Sequence, residues 1–212
     1  PAADAAAFRR DPQRLVAWCR DSLTLRPELC TVSTTISPEG VWRSRTADKP
    51  SRKIFFVAAA RSLGIPAWID PVTGNLFYRH AGKDVPVDFD AAGNRELETG
   101  RLQLNYAPIP RLDDPEYFRH FTLSRFDGQS FALLNYPDFE PWSARFDTPT
   151  DLETGYYMLA TGSRLADGSV LANVSFLNIG PNRTTETDLP MRDNSEAVRV
   201  IGSFNSCLLY TS

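Results

Sequence analysis

Residues 51–70 read SRKIFFVAAARSLGIPAWID, and this stretch decides the fold of the first half of the chain. Apolar residues recur at helical spacing over residues 51–63, which predicts an amphipathic helix with Ser51 as its cap. Gly64 follows, and glycine is the residue type that most often ends a helix in the left-handed conformation. An Ile-Pro step then leads into a strand that begins at Trp68. The stretch therefore predicts a helix, a glycine stop and a strand in immediate succession.

The segments before this stretch predict further helix and a long loop. Residues 11–24 carry apolar side chains at helical spacing, with Asp11 as the candidate cap. An alanine-rich turn at residues 3–9 is a candidate for a short preceding helix. Residues 26–50 lack periodicity, so we predict a loop there that contains one strand near residues 30–36.

The segments after Trp68 predict an antiparallel β-meander. Strand-like runs cover residues 75–79 and 85–90, and turn-forming residues separate them. Helices followed by such a meander indicate an α+β fold for residues 1–99.

From residue 100 onward, short strand-like runs alternate with turn clusters, and no helical pattern is present. The runs cover residues 101–106, 118–126, 130–135, 155–163, 169–179, 184–191 and 197–201. Asp167-Gly168 is a hairpin signal between two of them. This pattern predicts an antiparallel β-sandwich over residues 100–206.

Composition excludes several classes of partner. The 212 residues carry a net charge of −3 without a lysine- or arginine-rich stripe, which disfavours nucleic acid and anionic membranes as partners. No apolar run approaches the ~20 residues that a membrane-spanning helix needs. The chain holds three cysteines without a CxxC pair and only two histidines, so we expect no metal site and no other cofactor.

Two features concern the cysteines and the end of the chain. A Cys19–Cys30 disulfide is an open alternative in an exported protein, whereas the position of Cys19 on an apolar helix face favours a small core residue. Residues 207–212, CLLYTS, resemble a translated sequencing-adapter end of the kind found in metagenomic assemblies. We therefore predict a non-native tail at residues 207–212 and a chain that is a fragment of a longer protein; a natural hydrophobic tail is the alternative.

The helix that ends in Leu63-Gly64-Ile65-Pro66-Ala67 resembles the segment by which papain-like transglutaminase cores are recognised. Residues 82–88, GKDVPVD, look like the glycine turn and W-V-P-V-D strand of those cores, with aspartate where the tryptophan would stand. Residues 152–172 are similar to the β-sandwich segment that follows the core in large exported bacterial transglutaminase-like proteins. The resemblance implies a partial transglutaminase-like core, then a β-sandwich, in a protein of the periplasm or cell surface.

The resemblance also says where catalytic residues would lie. A papain-like core places a cysteine at a helix N-terminus, where the helix dipole and a histidine lower its pKa. Here the nucleophile position falls at Lys49, flanked by Asp48 and Ser51, and the histidine position falls near Thr73 or Gly74. Neither position holds the required residue, so no catalytic residue is expected.

Three residues are weak candidates for remnants of a triad: Ser51, His80 and Asp88. Asp88 matches the third triad position of the family, and His80 is the only histidine nearby. Each also has a structural interpretation: Ser51 as a helix cap, His80 as an exposed turn residue and Asp88 as a carboxylate at the end of a strand.

The first functional hypothesis is therefore a degenerate, non-catalytic transglutaminase-like module with a binding or structural role, and a peptide or a glycan as its partner. One alternative is an active cysteine-type amide hydrolase or acyltransferase. The other is a carbohydrate-binding β-sandwich, because the four tryptophans and other aromatic residues could line a sugar platform, although core packing is their default role.

Overall fold

Helices and strands are segregated along the chain. The computed structural model describes residues 2–29, 34–90, 97–164 and 169–193, and among them all four α-helices lie before residue 63. The chain divides into two compact units, Pro1–Leu97 and Glu98–Ser212. The structure is mixed α+β with several antiparallel sheets, which is the predicted class. None of the described helices is long and apolar enough to cross a membrane.

The described residues of the first unit form four α-helices, a short strand pair and a three-stranded sheet. The helices are α1 (Ala2–Arg10), α2 (Gln13–Ser22), α3 (Pro38–Ser44) and α4 (Lys49–Ser62). Strands β1 (Thr24–Leu25) and β2 (Thr46–Ala47) pair in parallel. Strands β3 (Ala67–Ile69), β4 (Leu76–His80) and β5 (Lys83–Val87) form the predicted antiparallel meander in that order.

The N-termini of two helices differ from the sequence prediction. Helix α4 begins at Lys49, because Asp48 is its cap and accepts a hydrogen bond from the Ser51 N–H at 2.6 Å. The prediction that Ser51 caps this helix was therefore wrong; Ser51 lies in its first turn. In α2 the cap position is held by Pro12, and Asp11 instead accepts the N–H of Gln13 at 3.2 Å.

Helix α3 lies in the segment that was predicted as a loop. The Ser37 side chain accepts the N–H of Gly40 at 3.1 Å, and Pro38 occupies the first helical position. The helix ends at Ser44, and its C-cap residue Arg45 adopts left-handed backbone (φ 57°). The strand predicted near residues 30–36 is absent from residues 34–36, and residues 30–33 lie outside the described residues.

One hydrophobic core joins the helices of the first unit to its sheet. Helix α2 contributes Leu15, Val16 and Cys19; α4 contributes Phe55, Phe56 and Ala60; the strands and their flanks contribute Ala67, Leu76, Tyr78 and Phe89. The Phe56 ring contacts Tyr78 and Phe89 with centroid distances of 6.3 and 5.9 Å. Because Phe55, Phe56 and Ala60 of α4 are buried in this core, the core fixes the position of the helix and of its first turn.

The described part of the second unit is built from two sheets. Its strands are β6 (Thr99–Asn105), β7 (Phe121–Phe126), β8 (Phe131–Leu133), β9 (Thr150–Glu153), β10 (Gly155–Arg164), β11 (Val170–Ile179) and β12 (Thr184–Asp188). One sheet is antiparallel with the order β11-β10-β7-β8, and the other has the order β12-β6-β9. Strand β9 was not predicted, because it is short and only Leu152 in it is buried.

The second sheet is not purely antiparallel, although the sequence pattern predicted an antiparallel sandwich. Strand β12 pairs in parallel with β6, from Thr184↔Arg101 to Asp188↔Asn105. Only consecutive strands joined by a tight turn must pair antiparallel, and five strands separate β6 from β12. The hairpin signal at residues 167–168, the strand predicted at 197–201 and the tail at 207–212 lie outside the described residues, although β10 and β11 pair antiparallel as a hairpin requires.

Candidate functional site

The first turn of α4 is the place where a papain-like nucleophile would lie, and its Ser51 is committed to structure. Ser51 is 0% exposed. Its hydroxyl oxygen accepts the backbone N–H of Ile36 at 2.8 Å, and its own N–H donates to Asp48. A hydroxyl that is closed off from solvent and already bonded to the backbone has no access to a substrate.

The neighbours of Ser51 offer no replacement nucleophile. Lys49, at the expected nucleophile position, is exposed, and Asp48 is 1% exposed and caps the helix. The Oδ2 atom of Asp48 and the Nε atom of Arg52 are buried and have no hydrogen-bond partner among the described residues. The turn therefore carries a buried carboxylate and a buried guanidinium in place of a thiol.

Arg52 fills the space between α4 and the segment that follows β5. Its guanidinium carbon lies 4.4 Å from the centre of the Phe89 ring, and its Nη2 lies 3.6 Å from Oδ1 of Asp90. Burial lowers the pKa of Arg52, and the charge of Asp90 partly opposes this shift. The side chain is 6% exposed, so the cation–π contact is desolvated and worth about 2 kcal/mol.

Cys19 is the thiol that lies near this turn, but it comes from α2. It is 0% exposed and not disulfide-bonded. Burial raises the pKa of Cys19 to about 12, with Arg52 acting in the opposite direction. The thiol is therefore protonated near neutral pH, which agrees with the interpretation as a small core residue. Cys30 and Cys207 lie outside the described residues, and because Cys19 is a free thiol, the alternative of a Cys19–Cys30 disulfide is not realised in this structure.

His80 and Asp88 lie at opposite ends of the β4–β5 hairpin. His80 is the exposed last residue of β4 and pairs with Lys83, whereas Asp88 directly follows Val87, which pairs with Leu76. Five strand positions separate the two ends, which is about 17 Å at ~3.3 Å per residue. Asp88 is half-buried and accepts the N–H of Asp90 at 2.8 Å. The structure does not bring Ser51, His80 and Asp88 together.

The position expected for the triad histidine is a turn that α4 contacts directly. Thr73 donates both its N–H and its hydroxyl to Oδ1 of Asp70, at 2.7 and 2.8 Å. Gly74 accepts a 2.6 Å hydrogen bond from the Lys53 amine. Burial lowers the pKa of Lys53, and the cations Lys49 and Arg52 add to the shift. The Lys53 amine therefore joins this turn to α4, and neither Thr73 nor Gly74 supplies a catalytic base.

A second candidate site is an apolar pocket on the helical side of the same unit. It has a volume of about 460 Å³, within the usual range for small-molecule sites. Its walls come from all four helices, chiefly Phe8, Leu15, Trp18, Trp42, Phe55 and Leu63. We refer to this cavity as the aromatic pocket.

Three stacked rings form the floor of the aromatic pocket. Trp18 lies 5.6 Å from Trp42 and 6.0 Å from Phe55, with interplanar angles of 28° and 30°. The guanidinium of Arg45 lies 3.9 Å from the Trp42 ring centre and 4.9 Å from that of Trp18. Trp42 is nevertheless 53% exposed, so a large indole surface is open to a ligand.

The rim of the aromatic pocket carries two carboxylates. Asp4 lies on α1 and Glu39 on α3, and Glu39 is paired with Arg43 at 2.6 Å on the surface. Sequence reasoning missed this pocket because α3, which supplies Trp42 and Glu39, was predicted as a loop. The Ser37-Pro38-Glu39 run, a cap followed by proline and an acidic residue, is the signal that could have revealed it.

The residues described by the structure contain no group of three or more His, Cys, Asp or Glu side chains that could hold a metal ion. Comparison with protein-family models, with curated proteins and with solved structures gave no match.

Proposed function

We propose that this chain is a non-catalytic, transglutaminase-like module of an exported bacterial protein, with a β-sandwich as its second unit, and that its role is to bind a peptide. The helix, glycine and strand of residues 51–70 support the kinship, since they fold as that resemblance implies. The antiparallel meander after them supports it as well.

The state of the first turn of α4 carries the non-catalytic part of the proposal. Each polar side chain there has a structural role, since Asp48 caps the helix, Ser51 bonds to Ile36, and Arg52 packs on Phe89. A nucleophile needs an exposed, partly ionised group next to a base. Cys19 is buried with a raised pKa, so it does not meet that requirement.

Thiol labelling tests this part. The folded chain is treated with iodoacetamide at pH 7, and the labelling rate of each cysteine is followed by peptide mass spectrometry. Glutathione serves as the reference thiol, and the urea-unfolded chain serves as the control for Cys19. We expect no cysteine to react faster than glutathione and Cys19 to react only after unfolding. A cysteine that reacts far faster than glutathione would instead support the hydrolase or acyltransferase.

The aromatic pocket carries the binding part of the proposal. A peptide side chain fits it better than a sugar does, because aliphatic and aromatic carbons dominate its walls while sugar hydroxyls need several polar partners. Trp42 supplies an exposed ring against which an aromatic or branched side chain can pack. Asp4 and Glu39 add two acidic residues to the lining of the pocket.

Tryptophan fluorescence tests the binding part separately. The probes are N-acetylphenylalaninamide for the peptide and chitotetraose for the glycan, each titrated into the full chain. We expect the peptide probe alone to change the emission, and Trp42→Ala to weaken its binding about tenfold, or about 1.4 kcal/mol. Trp68→Ala is the matched control, since Trp68 belongs to the same unit but stacks on Phe77 outside the pocket. Binding of the glycan only, or equal losses in both variants, would contradict the proposal.

A further inference from the structure

The antiparallel sheet of the second unit exposes one apolar face. Along β11 the residues alternate between exposed and half-buried, and the exposed set is Val170, Ala172, Val174, Phe176 and Asn178. Directly paired residues of adjacent strands lie on the same side of a sheet.

Strand register shows which residues share this face. Phe176 pairs with Met158 and Val174 with Ala160 on β10, while Met158 pairs with Ser124 on β7. We define the outer face by its apolar members: Phe126, Phe131, Leu133, Tyr156, Met158, Ala160, Val170, Ala172, Val174 and Phe176. Nine large hydrophobic side chains are exposed among the described residues, and six of them belong to this face. Exposed hydrophobic side chains that cluster on one face indicate an interaction surface, whereas single exposed hydrophobic residues do not.

Aromatic rings make the outer face continuous from one edge of the sheet to the other. Phe131 lies on edge strand β8 and Phe176 on edge strand β11, with β7 and β10 between them. Three strand spacings amount to about 14 Å, yet the two ring centroids are only 5.7 Å apart. Phe126 lies 5.2 Å from Phe131 on the same side. The rings therefore lean over the central strands, and Ser124 beneath them is only 5% exposed.

The outer face also lacks the features that normally protect a sheet from association. The whole of β11, VLANVSFLNI, contains neither a charged residue nor a proline. By register, the one charged position among the paired residues on this side of the sheet is Arg164, which pairs with Val170 at the end of the β10–β11 hairpin. Edge strands of proteins that stay monomeric usually carry lysine, proline or a bulge. Among the described strands, β11 lies at the edge of its sheet and pairs only with β10.

We propose that the outer face is the contact surface of a homodimer, in which two copies of the chain pack sheet against sheet about a two-fold axis. A face that is apolar except at one end is complementary to a second copy of itself, as a two-fold contact requires. Nucleic acid, a charged peptide or an anionic membrane would meet one charged position, Arg164 at the end of the β10–β11 hairpin, and no charged patch. The inference is independent of the aromatic pocket and of the first turn of α4.

The area of the outer face is large enough for contact with a second copy of the chain. Four strands at ~4.8 Å spacing and strand lengths of three to ten residues give a footprint of roughly 500 Å² per copy. Two copies then cover about 1,000 Å², which is the lower bound for a specific interface. The sheets would lie about 10 Å apart, as sheets that pack face to face do.

Sedimentation velocity over a concentration series of the full chain tests the dimer. We expect a species of twice 23.7 kDa at high concentration that dissociates on dilution. Phe176→Lys places a charge within the contact and should raise the dimer dissociation constant about 30-fold or more. Phe139→Lys is the matched control, because Phe139 is 60% exposed against 64% for Phe176 and lies outside the outer face. Circular dichroism of both variants establishes that they fold.

Hydroxyl-radical footprinting identifies the surface that the dimer covers. Oxidation of Tyr156 and Met158 should fall as the dimer forms, while oxidation of Phe139 stays constant. A chain that is monomeric at every concentration, large aggregates without a defined mass, or a dimer unaffected by Phe176→Lys would overturn the proposal. Protection of Tyr156 in the monomer would also overturn it, because another part of the chain would then cover the face. Binding of chitotetraose to a monomer, lost in Phe176→Lys, would overturn it in favour of a carbohydrate-binding sheet.

Discussion

The hydroxyl of Ser51 accepts the backbone N–H of Ile36 across fifteen residues of sequence, at a distance of 2.8 Å. This bond joins the first turn of α4 to the segment that leads into α3.

Ser51→Ala should leave the Ile36 N–H without a partner in a partly buried position. We expect a loss of about 1–3 kcal/mol in the free energy of unfolding, measured by urea denaturation. Ser62→Ala removes an exposed hydroxyl from the last turn of the same helix and should change stability by less than about 0.5 kcal/mol. Equal effects of the two substitutions would contradict the structural role of Ser51.

Asp48 provides a second test of the same turn, because its side chain caps α4. Asp48→Ala removes the acceptor for the Ser51 N–H and should destabilise the chain by about 1–2 kcal/mol. Asp48→Asn retains a capping oxygen and should cost clearly less. Thermal unfolding followed by circular dichroism compares the two; equal losses in both variants would show that the charge of Asp48, and not its capping oxygen, is what matters.

His120 gives the second unit a pH dependence. Its Nδ1 accepts the N–H of Glu116 at 2.9 Å, which requires that nitrogen to be unprotonated. Burial lowers the pKa of His120, Arg119 adds to the shift, and Glu116 opposes it.

Since the folded chain then binds fewer protons at His120 than the unfolded chain does, the stability it contributes is present above the ordinary histidine pKa of about 6.5. That stability should fall as pH falls from about 6.5 through the lower folded-state pKa. Urea unfolding at pH 7.5, 6.5 and 5.5 measures the slope. His120→Asn keeps an acceptor without titrating and should flatten the slope, whereas His80→Asn, at the exposed end of β4, should preserve it. An unchanged slope in His120→Asn would refute this assignment.

Gly100 on β6 tests the packing of the second unit. A Cβ atom at this position would lie 2.2 Å from the carbonyl oxygen of Gly180 and 2.8 Å from the side chain of Ile179. Because the nearest atom is backbone, Gly100→Ala should cost about 3 kcal/mol or more. Gly180→Ala is the control, since its Cβ would meet only Arg183 at an ordinary 3.8 Å. The two variants are compared by urea denaturation, and near-equal midpoints would contradict the described contact.

Much of the local structure could be predicted from the sequence. Helix periodicity, the glycine at position 64 and the alternation of strand residues are local properties, so α4, the β3–β5 meander and most strands of the second unit follow from them. The errors were also local in origin. Ser37 is followed by a helix of only seven residues, too short to show an apolar period, and Asp48 competed with Ser51 as the cap of a helix whose periodic face was recognised.

The sequence by itself determined which residue types stand at the tip of α4, and therefore that no cysteine or histidine occupies the expected positions. Only the tertiary structure decided what those residues do. Three relationships show this: the hydrogen bond between Ser51 and Ile36, the separation of the two ends of the β4–β5 hairpin, and the contact of Phe131 with Phe176 across the sheet. Each depends on strand pairing or on packing between different segments of the chain. Such contacts depend on strand register and on burial by distant side chains, and local periodicity carries no information about either.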